Sequence, residues 1–213
     1  VSADVVVAAV VTAAAAAALT RRTKAIAATR SRWLDSGLHV VLAALGGAGA
    51  AALATSAPEA VAFATLALSC SLLVVIDLAD HRLPNAIIGP TYPVFFGLLA
   101  VTAALNGQAA DFLRACLAAL AVTIVYFVLA FIAPSGMGLG DVKLSGLLGA
   151  FLGWLGWAEV LVGTLAAFVI GGLFAVLLLV ARRARRDTAF PFGPWMVAGA
   201  VVGAAWGPAV LAG

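Results

Sequence analysis

Two acids stand out from a chain that is otherwise close to continuous hydrocarbon. Asp141 closes the run Gly136-Met137-Gly138-Leu139-Gly140-Asp141-Val142-Lys143, and Asp77 ends the apolar run Ser69-Cys70-Ser71-Leu72-Leu73-Val74-Val75-Ile76. An ionisable side chain at membrane depth costs on the order of 2.5 to 3.5 kcal/mol, so its presence calls for a function. The chemistry that two carboxylates can do is hydrolysis: one acts as a base to activate water and the other as an acid to protonate the departing amide. Like charges a few Å apart do not both ionise easily, so such a pair shares a proton. Asp77 is predicted at the C-terminal end of a helix, where the macrodipole opposes a negative charge, and Asp141 at an N-terminus, where free N–H groups favour one. The expectation is therefore Asp141 as the ionised base and Asp77 as the protonated acid, titrating as a unit. The alternative is that each acid only pairs with a neighbouring cation at the interface, Asp77 with Arg82 and Asp141 with Lys143.

The elements that must position these acids follow from composition. With 213 residues, 65% hydrophobic, 10% charged and a mean hydropathy of +1.17, the chain cannot clothe a soluble globule in polar surface. It reads as an all-α, polytopic transmembrane bundle. The charged positions leave uncharged stretches at 5–20, 36–58, 60–76, 83–110, 115–140, 144–158, 160–181 and 188–213. A spanning helix takes roughly 20 apolar residues, which predicts about eight crossings, with the first and sixth the shortest. If crossings alternate, eleven of the twelve Lys and Arg residues fall on one side, and Arg114 alone on the other. The positive-inside rule makes the basic side cytoplasmic and sends both termini outward. The net charge of +3 therefore marks orientation, and no nucleic-acid partner is expected.

The remaining positions are weighed against packing. Cys70 and Cys116 form no CxxC pair and read as small core filler, with no metal or other cofactor expected. The run from Ala43 to Ala52 reads as a close-packing face. Pro90 and Pro93 are expected to kink the fourth crossing or to delay its start until after Pro93, leaving a re-entry segment that opens the Asp77 end to water. Asp80 reads as a solvated loop acid, His81 as a loop residue, and His39 as an interfacial or packing residue. Trp154 and Trp157 are expected in an interfacial belt on the far side. Arg182, Arg183, Arg185 and Arg186 read as topology anchors able to meet anionic lipid headgroups. The N-terminal stretch reads as a retained first helix. No linker or repeat separates domains; residues 1–58 are expected to form two N-terminal helices with a basic loop, and 59–213 a six-helix catalytic core within one integral domain.

Read together, Asp77-Leu78-Ala79-Asp80-His81-Arg82-Leu83-Pro84-Asn85 and Gly138-Leu139-Gly140-Asp141 resemble the prepilin peptidases, the aspartic leader peptidases of type IV pili and related secretion systems. In that family the first catalytic aspartate precedes Leu-Pro-Asn or Leu-Pro-Asp, and the second closes a GxGD motif. Pro191-Phe192-Gly193-Pro194-Trp195 is similar to a segment that the family carries before its last helix. The resemblance covers about Glu59 to the C-terminus. It implies a membrane-embedded endopeptidase with Asp77 and Asp141 as catalytic residues, cutting the basic leader of a pilin-like precursor at the cytoplasmic face of the plasma membrane. Gly136, Gly138 and Gly140 are expected to let an extended substrate lie against the backbone, using glycine's tolerance of close approach and positive φ. Pro84, Asn85 and Lys143 complete the expected substrate groove.

Many bacterial members also N-methylate the new N-terminus and carry paired CxxC motifs in an N-terminal cytoplasmic segment. This chain has neither those cysteines nor that segment, so the resemblance implies cleavage and leaves methylation open, and the compact form is more like the peptidases of tight-adherence pili or archaeal preflagellins. Two other readings stay open. Presenilin-like proteases share GxGD but place Tyr before the first Asp and add Pro-Ala-Leu, whereas Ile76 precedes Asp77 here and no Pro-Ala-Leu occurs. A transporter using the acids as ion sites would place them near the bilayer midplane.

Overall fold

A computed structural model describes residues 2–27, 31–132, 137–181 and 191–211; the side chains of Pro208, Val210 and Leu211 are outside that description. Every regular element among the described residues is helical: α1 (Ala3–Ile26), α2 (Arg32–Asp35), α3 (Leu38–Leu53), α4 (Ala57–Asp80), α5 (Asn85–Asn106), α6 (Ala109–Ile132), α7 (Leu139–Leu155), α8 (Trp157–Val180) and α9 (Gly193–Leu211). Eight of these are long, and each is centred on one of the eight uncharged stretches, though five of them run past its ends. Five, α1, α4, α5, α6 and α8, are long and apolar enough to cross a membrane, and α3 is a shorter apolar helix. The chain is a polytopic helical membrane protein. Its outward surface agrees: Leu117, Leu120, Ile124, Phe127 and Phe131 on α6 are exposed at helical spacing, as are Leu161, Leu165, Val169, Leu173 and Val176 on α8.

Helix ends differ from expectation at several places, and two of them concern the basic residues and the prolines. α1 runs six residues past the first stretch and takes in Arg21, Arg22 and Lys24. Long basic side chains reach water from a helix end, so they do not terminate it. α5 begins at Asn85 and carries Pro90 and Pro93 inside it. There is no re-entry segment. Each proline removes one intrahelical N–H, but both rings lie on exposed positions, and Thr91 Oγ1 donates to the Ile87 carbonyl at 2.8 Å between them.

The chain divides into two compact units, Val1–Ala109 and Ala110–Gly213. In the first, α1 packs on α3 through small residues. Thr12 Oγ1 lies 2.7 Å from the Ala43 carbonyl, and Gly47 faces Thr12 so closely that a Cβ there would collide with it. Gly46 meets Ala67 of α4 in the same way, with a Cβ at 46 falling 2.7 Å from that methyl. The expected packing face from Ala43 to Ala52 is thus present, with Ala43 and Ala50 buried. His39, also buried, bonds Thr20 through Nε2 at 2.8 Å and is a packing residue. Ser69 and Thr91 hydroxyls join α4 to α5 at 2.8 Å.

In the second unit α8 and α9 meet backbone to backbone. A Cβ on Gly199 would sit 2.5 Å from the Gly163 carbonyl, one on Gly203 2.6 Å from that of Glu159, and one on Gly207 2.7 Å from the Glu159 Cα. The spacing of four residues brings these three glycines onto one face. α7 lies on α6 through Gly149 and Gly153, against Ala118, Ala119 and Ala115. Arg114, the one cation expected on the far side, donates from Nε to the Gly153 carbonyl and from Nη2 to that of Trp154, both at 2.6 Å. It serves as a cap for the C-terminus of α7, which is why it sits where the charge asymmetry does not want it. Trp154 is buried in this unit and not in an interfacial belt, whereas Trp157 is half exposed. Cys70 and Cys116 are both free thiols.

Candidate active site

Asp77 lies in the last turn of α4, 3% exposed. The apolar run before it is buried without a break from Ser69 to Ile76, so the helix is held on all sides and delivers the acid at a fixed depth. The turn ends at His81, which adopts the left-handed conformation (φ 52, ψ 42) and donates its N–H to the Asp77 carbonyl at 2.9 Å. His81 is the sole non-glycine residue with positive φ among the described residues. Histidine is one of the few residues that visit this region, so the stop is legible once the helix is known to reach 80.

Asp80 is a correction. It is the last residue of α4, and its side chain is 2% exposed, so it is neither in a loop nor solvated. Its Oδ2 lies 3.6 Å from Arg82 Nε, and the other arm of that guanidinium, Nη2, donates to the Ile26 carbonyl at 3.1 Å. The cation expected for Asp77 is therefore engaged with Asp80 and with the end of α1. Pro84 is the N-cap of α5, its carbonyl accepting the N–H groups of Ile87 and Ile88, and Asn85 is the first helical residue, exposed.

Asp141 occupies the third position of α7, 8% exposed. Its carboxylate accepts the N–H of the N-cap residue Gly138 at 2.9 Å, the acid half of a capping box. Two glycine expectations change. Gly138 has φ −85 and ψ 158, ordinary extended backbone, and a Cβ there would make only normal contact; Gly140 is the second residue of the helix and not part of a loop. Positive φ is required at neither. At the start of α7 the N–H groups of Asp141 and Val142 donate to the Gly138 carbonyl at 3.1 and 3.4 Å, so the N–H groups of Leu139 and Gly140 are the ones that precede the first intrahelical bond. Gly136 lies outside the described residues, as do the four arginines from 182 to 186. Lys143 is exposed on that first turn.

Sequence reading missed Tyr126. Its ring is buried on α6, with Phe168 of α8 at 5.2 Å and Phe192 of the Pro191–Pro194 segment at 6.2 Å, and Asp141 lies within its electrostatic reach. One turn further along the Asp141 face of α7, Ser145 and Gly149 border a cavity of about 10 Å³ shared with Tyr126 and Thr164. That is room for about one water. No signal in the sequence marks Tyr126, because its role depends on which helices touch. Among the described residues no cluster of His, Cys, Asp and Glu has the makings of a metal site.

The arrangement offers two buried carboxylates, one closing an apolar helix and one opening another. Residues 64–176, just over half of the chain, match the Type IV leader peptidase family. Among similar curated proteins is a prepilin leader peptidase/N-methyltransferase of Pseudomonas putida, 32% identical over 156 residues, which cover 72% of this chain and 52% of that protein. A protein of the same name from Burkholderia pseudomallei is 31% identical over 163 residues, 73% of this chain and 50% of its own. One from Stutzerimonas stutzeri is 31% identical over 153 residues, 70% and 51%. The chain thus spans about half the length of the curated relatives it matches. No solved structure matches it. With a match that takes in both Asp77 and Asp141 together with the motifs around them, the chain belongs to the Type IV leader peptidase family.

Proposed function

We propose that this chain is an aspartic endopeptidase that removes the leader peptide of a type IV pilin-like precursor at the cytoplasmic face of the plasma membrane, with Asp77 and Asp141 as its catalytic pair. The observation that carries the reading is that both motif acids are buried at helix termini: Asp77 in the closing turn of α4 and Asp141 in the opening turn of α7. A transporter's ion site would lie mid-helix instead.

Asp141 is the base. It sits at the positive end of the α7 dipole and accepts the Gly138 N–H, an environment that suits a carboxylate. It takes a proton from water as the oxygen attacks the scissile carbonyl. Asp77 lies where the carbonyl ends of α4 converge, an environment that suits a protonated carboxyl, and it gives its proton to the departing amine. The open first turn of α7, with Gly138, Gly140 and Lys143, and the start of α5, with Pro84 and Asn85, offer backbone and polar groups to an extended substrate. Residues 59–213 form the catalytic core in this reading. The excess of Lys and Arg in the loops next to both acids supports an orientation in which they lie on the side where a precursor's basic leader remains.

The test is cleavage of a purified type IV prepilin by the full chain in detergent. Asp77→Asn and Asp141→Asn are each expected to fold and to retain less than about one hundredth of wild-type kcat/KM. Cleavage that survives either substitution overturns the catalytic pair.

A further inference from the structure

Tyr126 is 2% exposed, and its ring is held in α6 by the rings of Phe168 at 5.2 Å and Phe192 at 6.2 Å. Those contacts fix the ring but offer its hydroxyl nothing to bond. Among the described residues that hydroxyl has no hydrogen-bond partner, and neither has the hydroxyl of Thr164 on α8. A buried hydroxyl left unpaired is costly, and hydrocarbon around the protein cannot relieve it. Both side chains border the cavity of about 10 Å³ enclosed by α6, α7, α8 and α9. A third hydroxyl borders it too: Ser145 of α7, fully buried, donates to the Val142 carbonyl at 2.8 Å and keeps its oxygen available to accept. Three hydroxyls around room for about one water meet the need of a buried water for two to four polar partners.

The cavity touches the turn that carries Asp141. Ser145 stands one turn from Asp141 on the same face of α7, and the carbonyl it holds belongs to the residue that follows Asp141. Asp141 also lies within electrostatic reach of Tyr126. We propose that the cavity binds one water shared by the hydroxyls of Tyr126, Ser145 and Thr164, and that through this water Tyr126 is a positioning residue for Asp141. The water ties α6 and α8 to the start of α7, so that the acid keeps its aim at the scissile bond. The inference rests on the catalytic reading given above.

The test is a double-mutant cycle on prepilin cleavage by the full chain in detergent. Tyr126→Phe keeps the ring and removes its hydroxyl, and Thr164→Val keeps the shape of the side chain and removes the other. Each is expected to lower kcat about tenfold with KM unchanged, because a misaimed acid slows the chemical step and not substrate binding. Together they are expected to lose no more than either alone, since both act through one water. Thr164→Ser keeps a hydroxyl and is expected to keep wild-type kcat. A high-resolution structure of the full chain is expected to show the water between the Tyr126 and Thr164 hydroxyls. Should Tyr126→Phe not accumulate, Ser145→Ala takes its place in the cycle with the same expectation.

Losses that multiply to about a hundredfold in the double variant overturn the shared water. So does wild-type kcat in both single variants, or a dry cavity in the high-resolution structure. A lower thermal midpoint with kcat unchanged below it also overturns the proposal, since the hydroxyls would then act in folding alone. Loss of cleavage in Asp141→Asn together with wild-type kcat in Tyr126→Phe and Thr164→Val leaves the catalytic pair standing and removes only the water. Cleavage that persists in Asp141→Asn removes the pair itself.

Discussion

At the residue scale the acids of this chain have two kinds of work, and their positions alone do not separate them. α4, α7 and α8 each carry an acid in their first turn: Glu59, Asp141 and Glu159, all buried. Glu59 accepts the N–H and the hydroxyl of Thr55, both at 2.7 Å, which is helix capping. Asp141 caps α7 through a single bond. The difference is measurable. Glu59→Ala is expected to lower stability by about 1 kcal/mol, seen as a lower thermal midpoint in detergent, with kcat/KM unchanged below that midpoint. Asp141→Asn keeps an acceptor for Gly138 and is expected to change stability by less than about 0.5 kcal/mol while abolishing cleavage, because Asn caps as well as Asp but cannot take a proton from water. His81 gives a second contrast. His81→Val forces a β-branched residue into the left-handed region at a cost of about 1 to 2 kcal/mol, whereas His81→Gly is expected to match or exceed wild type in the same melt.

At the element scale α8 and α9 of the second unit meet backbone to backbone, with Phe174 and Trp195 in ring contact at 4.6 Å beside that seam. The faces of α8 and α9 touch at Gly163, Gly199, Gly203 and Gly207, leaving no room for a Cβ. In lipid there is no hydrophobic drive between helices, so close packing must supply the association. Gly203→Leu is expected to separate α8 from α9, detected as loss of a disulfide crosslink between cysteines introduced on the two helices and by protease sensitivity in detergent. At the other end of α7 the Arg114 guanidinium takes the carbonyls of Gly153 and Trp154 and pairs with Asp111 at 2.8 Å. Arg114→Gln removes bonds made by a charged donor. It is expected to cost about 1.5 to 3 kcal/mol, read in the thermal midpoint.

At the scale of the whole molecule, the distribution of Lys and Arg makes the topology testable. Cysteines placed at Arg22 and Arg82 are expected to resist an impermeant maleimide in intact cells and to react in inverted vesicles, because both belong to the basic side, which the proposed orientation makes cytoplasmic. Labelling of either in intact cells would reverse the proposed orientation.

Much of this organisation was legible in one dimension. Charges cannot sit cheaply in hydrocarbon, so their positions marked out eight long helices before any coordinate was known, and the acids at 77 and 141 stood out for the same reason. Their motifs named the family. The sequence alone could not place what depends on neighbours. Asp80 looked like a loop acid because nothing local says that α4 continues to residue 80 and buries it beside Arg82. Pro90 and Pro93 looked like breakers because their cost depends on which face of α5 they occupy. Arg114 looked like an exception to the charge rule until the end of α7 proved to be its partner, and Tyr126 drew no notice until α6 met α7 and α8. Hydropathy is a property of each residue and its near neighbours, so it fixes where helices run. Burial, ion pairing and capping are properties of pairs distant in sequence, and only the packing of the helices decides them.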